Sequence, residues 1–245
     1  MGIDLAWSTG VTGLAVVDDS GRVLSSGRVD TDDEIAAWLG AQHGQLGVVA
    51  VDAPLVVPNE DGQRLPERLI GAAFGVFGAS AHSSNRGTFG GREARAMILA
   101  RRFGWVVDPD APPGGETTAC IEVYPHPALV GLFALPYRLD YKKGSTARRL
   151  PGFRSLVRHL ESIPELGLPA YSRWIELTRI LASPRPGDLD RWEDEVDAIL
   201  CAHLAWLWRH RPTALHVYGT AEDGYIVAPP PPTHRPMRPE PGTVA

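Results

Sequence analysis

The stretch Gly2-Ile-Asp-Leu-Ala-Trp-Ser-Thr-Gly-Val-Thr-Gly-Leu-Ala-Val-Val-Asp-Asp-Ser-Gly-Arg-Val-Leu-Ser-Ser-Gly-Arg-Val29 decides the fold. It holds three strand-like runs, residues 2–7, 13–17 and 22–29, parted by Ser-Thr-Gly and by Asp-Asp-Ser-Gly. Both partings are turn-forming clusters. Connections this short make the three strands antiparallel neighbours.

Outward from this meander the pattern changes. Thr31-Asp-Asp-Glu34 is a capping box and opens a helix to about residue 42. The run 47–53 is apolar on both faces, as a central parallel strand would be, and stops at Pro54. Helical patterns follow at 65–77 and 92–103, then a strand at 119–124 and helices at 145–163, 170–182 and 189–210. Asp190-Arg-Trp-Glu193 reads as a second capping box for the last helix. Trp206 and Trp208 lie two apart on that helix and cannot share a face, so one of them should lie near the surface. A hairpin over 214–218 and 225–228 closes the pattern. The chain therefore reads as one α/β domain over 1–228, a mixed sheet covered by helices, with helical insertions at about 58–118 and 128–188. The proline-rich stretch 229–245 reads as a disordered tail.

Four acids stand where a soluble chain should avoid them. Asp4 shares parity with Gly2 and Ala6, whose small side chains leave room beside a carboxylate. Asp52 ends the fourth strand, where ligands gather in α/β sheets. Glu122 sits inside the short apolar run Ala119-Cys-Ile-Glu-Val-Tyr, and glutamate is a poor strand former. Asp197 continues the inward stripe of Leu200, Leu204 and Leu207, and Asp194 shares its face three residues earlier. Carboxylates are seldom buried unless paired or bound to a metal. If the strands are neighbours, the acids share one patch and a divalent cation would offset their repulsion.

Composition narrows the class. A chain of 245 residues, 44% apolar, can bury a full core. A net charge of −5 argues against wholesale coating of nucleic acid but leaves room for a local basic site. Cys120 and Cys201 read as free thiols with neither disulfide nor zinc spacing. No apolar run approaches ~18 residues, and no leader precedes the first strand, so a cytoplasmic protein without membrane contact is expected.

The same motifs resemble the ribonuclease H-like superfamily, and more closely the family designated domain of unknown function 429, whose members are predicted nucleases. The likeness runs through nearly all of the chain before the tail. It is carried by Gly2-Ile-Asp-Leu-Ala-Trp, by Val51-Asp-Ala-Pro-Leu-Val-Val-Pro-Asn with Arg64 and Glu67, by Glu122-Val-Tyr-Pro-His, Tyr141-Lys-Lys and Asp194-Glu-Val-Asp-Ala. The resemblance implies a five-stranded sheet of order 3-2-1-4-5 and phosphodiester hydrolysis at two Mg²⁺ or Mn²⁺ ions. Asp4, Asp52 or Glu122, and Asp197, with Asp194 beside it, would hold the metals. The family pattern also takes an acid from the first connecting helix, where this chain offers only Glu34 or Glu67. Hard oxygen ligands suit those ions better than zinc.

Basic and polar residues follow the two acid-bearing strand ends. Arg64, His82 and Asn85 come after the fourth strand, and Lys142, Lys143, Arg148 and Arg149 after the fifth. They are candidate contacts to a nucleic-acid or nucleotide-type phosphate. His126 is a candidate proton shuttle or a structural histidine. Aromatic residues are not interleaved with the basic ones, which argues against a single-strand stacking platform. Two other readings compete. The opening hairpin resembles the phosphate-binding turn of sugar kinases and related ATPases, although no second copy is found. A non-catalytic protein retaining the fold is the other, and the inward acids argue against it.

Overall fold

A computed structural model of the protein describes residues 1–6, 10–42, 46–112 and 116–238. Strands β1 (Gly2–Asp4), β2 (Thr12–Val17) and β3 (Val23–Val29) form the expected antiparallel meander. Helix α1 (Asp32–Gly40) then carries the chain to β4 (Val48–Asp52), parallel to β1. The Thr31 capping box is formed as expected: the Thr31 hydroxyl accepts from the Glu34 N–H, and the Glu34 carboxylate from the Thr31 N–H. After α2 (Leu65–Phe74) and α3 (Arg95–Arg102), strand β5 (Ala119–Glu122) adds parallel to β4. The sheet order is β3-β2-β1-β4-β5, the mixed arrangement expected for the ribonuclease H-like fold.

Helix α4 (Pro125–Leu132) follows β5 directly, where the sequence reading assigns no element. Pro125 occupies the first helical turn, where its missing N–H costs nothing. Helices α5 (Thr146–Glu161) and α6 (Ser172–Ala182) precede the long α7 (Asp188–His210). Helix α7 starts two residues before Asp190, behind Gly187, so Asp190 and Glu193 do not cap it. Instead both carboxylates pair with Arg149 of α5. Strands β6 (His216–Thr220) and β7 (Gly224–Ala228) form the final hairpin, tied to the end of β5 by a bridge between Val123 and Val227. The proline-rich stretch, expected to be disordered, lies against the body as far as residue 238. The Met237 N–H donates to the Pro136 carbonyl at 2.9 Å, and the His234 ring packs edge-on to Phe77. Residues 239–245 of the expected tail lie outside the described residues.

The alternation in β4 builds two cores, one on each face of the sheet. Val49 and Val51 join Ile3, Leu14, Ile35 and Leu99 under α1 and α3. Val48 and Ala50 face α7 with Ala15 and Ile121. Helix α7 is buried on nearly every side from Glu195 to Trp208, so both Trp206 and Trp208 lie inside, against expectation. A helix that is apolar all round is a central helix, and this one is covered by the sheet on one side and by helices on the other.

Two glycines set how close α7 comes. A Cβ on Gly2 would lie 2.1 Å from the Ala198 carbonyl oxygen, and one on Gly13 would lie 1.9 Å from that of Asp194. The helix backbone rests directly on the backbones of β1 and β2, and any side chain there would lift it off. We expect Gly13→Ala to cost about 3 kcal/mol or more, because backbone cannot yield as a side chain can. That is a fall in Tm of roughly 6–12 °C. Gly40→Ala, with nothing within 4 Å of the new Cβ, should leave Tm unchanged or slightly raised. Thermal unfolding of the two variants tests this; equal Tm values would show that α7 is not seated on Gly13.

Candidate metal centre

Asp4 ends β1 and Asp52 ends β4, and the two residues stand directly in register on parallel neighbours. Register partners point to one face of a sheet, here the face that carries α7. Asp197 descends from that helix, between the positions where Gly2 and Gly13 meet it. Each of the three carboxylates offers an oxygen, and these oxygens all lie within 4.8 Å of one another. Asp197 is fully buried, whereas Asp4 and Asp52 are half-buried and open toward a cleft.

Two residues from the segment before α5 complete the cluster. The Tyr141 hydroxyl donates to Asp197 Oδ1 at 2.9 Å. The Lys142 ammonium lies 2.6 Å from Asp197 Oδ2 and 3.8 Å from Asp52 Oδ2. Asp197 Oδ2 accepts no aligned hydrogen bond, so this ion pair is its sole polar partner among the described residues. Burial pushes the Asp4 carboxyl well above the usual range against the pull of Lys142, and the charges of Asp52, Asp197 and Asp194 push it the same way. Burial likewise raises Asp52 to about 7, with Lys142 opposing and Asp197 adding. Burial works against the charge on Lys142, but Asp197 leads the groups that hold it well above the ordinary lysine value. Acids forced together in this way, one with an oxygen lacking a hydrogen bond, suit a hard divalent cation with oxygen ligands.

Glu122 does not join them. It stands in register with Val51, not Asp52, so its side chain leaves the opposite face of the pleat. There it accepts the Leu55 N–H at 2.8 Å and two bonds from Arg64, at 3.0 and 2.6 Å. Arg64 also reaches Glu67 at 2.9 Å and the Val56 carbonyl at 2.8 Å. Buried and committed, Arg64 holds the chain after β4 in place and has little left for a phosphate. Glu34 and Glu67, the acids offered for the remaining family position, are taken up by the α1 cap and by Arg64. Asp194 pairs with Arg28 at 3.2 Å at the edge of the cluster. Asn85 closes its own loop, donating to the Gly62 carbonyl and accepting from the Thr88 N–H. Arg149 is buried, with its Nε on the Tyr141 carbonyl at 2.7 Å and its other nitrogens on Asp190 and Glu193.

The cleft above Asp4 and Asp52 has a volume of about 700 Å³. Of the expected phosphate contacts, His82, Lys142, Lys143 and Arg148 line it; Arg138, not chosen from the sequence, lines it too. His126 and Tyr124 form part of the wall. Burial pushes His126 down to about 3, so its ring is neutral, and its buried Nδ1 has no hydrogen-bond partner among the described residues. Tyr141 was visible only as the first residue of Tyr141-Lys-Lys; nothing local tells that its hydroxyl ends on Asp197. In the opening hairpin over residues 2–17, likened to the phosphate-binding turn of kinases, positions 7–9 lie outside the described residues. Among the described residues, no helix is long and apolar enough to cross a membrane.

The model of one family, described as "Protein of unknown function (DUF429)", matches residues 2–223. No curated protein and no solved structure matches the chain.

A proton bound to Asp52 links the cluster to stability. Its carboxyl titrates at 3.8 ordinarily and at about 7 in the folded protein. Between those values the native state holds a proton that the unfolded state has lost. Stability contributed below pH ~4 is therefore lost as pH rises through about 7. Without metal, Asp52→Asn should gain Tm relative to wild type as pH goes from 4 to 8, at roughly 2–4 °C per kcal/mol. Thermal melts of both proteins across that range decide it. A Tm difference that is independent of pH would mean that Asp52 ionises normally.

Proposed function

The chain belongs to the DUF429 family, whose description assigns no activity, and we propose that it is a metal-dependent nuclease. It would hydrolyse phosphodiester bonds in a nucleic acid or nucleotide-type substrate. One observation carries the reading: Asp4, Asp52 and Asp197 bring oxygens within 4.8 Å of one another at the base of a cleft lined with cationic side chains. The cleft opens at the C-terminal ends of the parallel strands β1 and β4, where α/β sheets place their ligands.

Asp4, Asp52 and Asp197 would hold Mg²⁺ or Mn²⁺. Bound there, such an ion lowers the pKa of a coordinated water and neutralises charge on phosphate oxygens. The remaining roles fall to the chain itself. Lys143 and Arg148, with Arg138 and His82, bind and orient the phosphate from the walls. Tyr141 fixes the Asp197 carboxylate in one orientation through its hydroxyl. His126 contributes a neutral ring to the wall and adds no charge to the cleft. A cytoplasmic location goes with this reading, in keeping with the buried free thiols Cys120 and Cys201.

The test is a cleavage screen with Mn²⁺ and Mg²⁺ on single-stranded, duplex, hybrid and branched substrates. Asp4→Asn and Asp197→Asn should lower turnover by about 10²–10³ or more, as several kcal/mol of charge stabilisation implies. Substrate binding should largely survive. Lys143→Ala and Arg148→Ala should instead weaken binding and flatten its salt dependence, each by about one phosphate contact. If no substrate is cleaved with either metal, and Asp4→Asn alters neither metal nor nucleic-acid binding, the nuclease reading is wrong.

A further inference from the structure

We propose that Lys142 is a built-in cation of the carboxylate cluster, so that the site takes one divalent ion beside its ammonium rather than two. This rests on the metal reading of the site and revises its stoichiometry. The ammonium lies between two of the three acids, 2.6 Å from Asp197 Oδ2 and 3.8 Å from Asp52 Oδ2. Asp197 Oδ2 is sealed from solvent and lacks a hydrogen bond, so a cation must answer it in any state of the protein.

Lys142 is held in place from behind rather than reaching in from a loose loop. Tyr141, its neighbour, is fully buried, and its hydroxyl binds the other oxygen of the same aspartate. The Tyr141 carbonyl accepts from Arg149 Nε at 2.7 Å. Arg149 is in turn fixed by Asp190 and Glu193, about two turns and one turn before Asp197 on α7. On the other side, α5 presses on the chain at Asp140: a Cβ on Gly152 would lie 2.6 Å from the Asp140 carbonyl oxygen. Residues 140–142 are therefore clamped between α5 and α7. An ion that displaced Lys142 would have to move a side chain whose backbone cannot follow.

Charge balance points the same way. With an ion bound and the three clustered carboxylates all ionised, one ammonium and one divalent ion neutralise them. A second divalent ion would leave two surplus positive charges in a pocket where desolvation makes uncompensated charge costly. The ammonium thus carries the charge-neutralising part that a second ion carries in two-metal sites.

Counting bound ions tests the proposal without any turnover. Mn²⁺ titrated into the full-length protein, followed by calorimetry and by the EPR signal of free Mn²⁺, should give one ion per chain. Lys142→Met keeps the aliphatic stem, removes the charge, and should bind two. Lys142→Arg keeps the charge and should stay at one, which guards against misfolding as the cause of any change. Two ions in the wild type, or one in both wild type and Lys142→Met, would overturn the proposal while leaving a metal-dependent nuclease standing. No Mn²⁺ in the wild type would remove the metal reading itself. One ion in a protein that cleaves nothing would sink the nuclease reading alone.

Discussion

The close seat of α7 on the sheet is the constraint from which the site follows. With glycine at positions 2 and 13, the helix backbone comes so near that a methyl group at either place would overlap a helix carbonyl. Asp4 is the register partner of Gly13 and stands beside Asp52. Lowering the helix onto Gly13 therefore lowers Asp197 onto both acids. Larger residues would have given a stronger apolar interface and no carboxylate cluster, because the helix would ride higher. Packing and chemistry are set by the same two missing side chains.

The inward acids then divide into two kinds. Glu122 and Glu67 are matched by Arg64, Glu195 by Arg173, and Glu193 by Arg149, which also holds the exposed Asp190. These are closed ion pairs with planar, multidentate partners, and they fix chain segments in place. Asp4, Asp52 and Asp197 have no arginine among the described residues; together they share one lysine. Among these described acids, this group sets three carboxylates against one ammonium. Burial leads in raising Asp4 and in bringing Asp52 to about 7, with Lys142 opposing and the neighbouring carboxylates adding to the rise. A structural cluster would be expected to close its charge, whereas a site for a cation is expected to leave it open.

This division explains what the sequence could and could not disclose. The sheet was legible because it depends on local signals: turn clusters at 8–10 and 18–21, a capping box at Thr31, and apolar alternation in β4. Asp4 and Asp197 were legible because each interrupts an apolar pattern. Glu122 interrupts one equally, and the sequence had no means of telling it apart. The difference is a register: pairing with Val51 rather than Asp52 turns its side chain to the other face, toward Arg64, 58 residues away. Arg149 was misjudged for the same reason, since its partners lie over 40 residues on, and the Asp190 and Glu193 that bind it imitate a cap. The cap motif fits the spacing of α7, but the helix begins earlier, behind Gly187. Long-range pairings of charge are invisible to periodicity, and they decide which charged residues are free to act.

The segment between β5 and α7 lies outside the sheet, yet it supplies the groups that make the cluster more than three acids. Tyr141 and Lys142 come from it, as do the cleft residues Arg138, Lys143 and Arg148. The Arg149 pairs with α7 are what tie this segment to the helix bearing Asp197. Asp197 therefore keeps its orientation through two routes. One is the seat of its helix on glycine, and the other is a chain of contacts from Asp190 and Glu193 through Arg149 and Tyr141 back to its own carboxylate. The second route closes a loop on α7 itself, so a shift of the helix moves both the acid and the groups that hold it. Ligand geometry is then preserved under motions that a site assembled from unconnected loops would not survive.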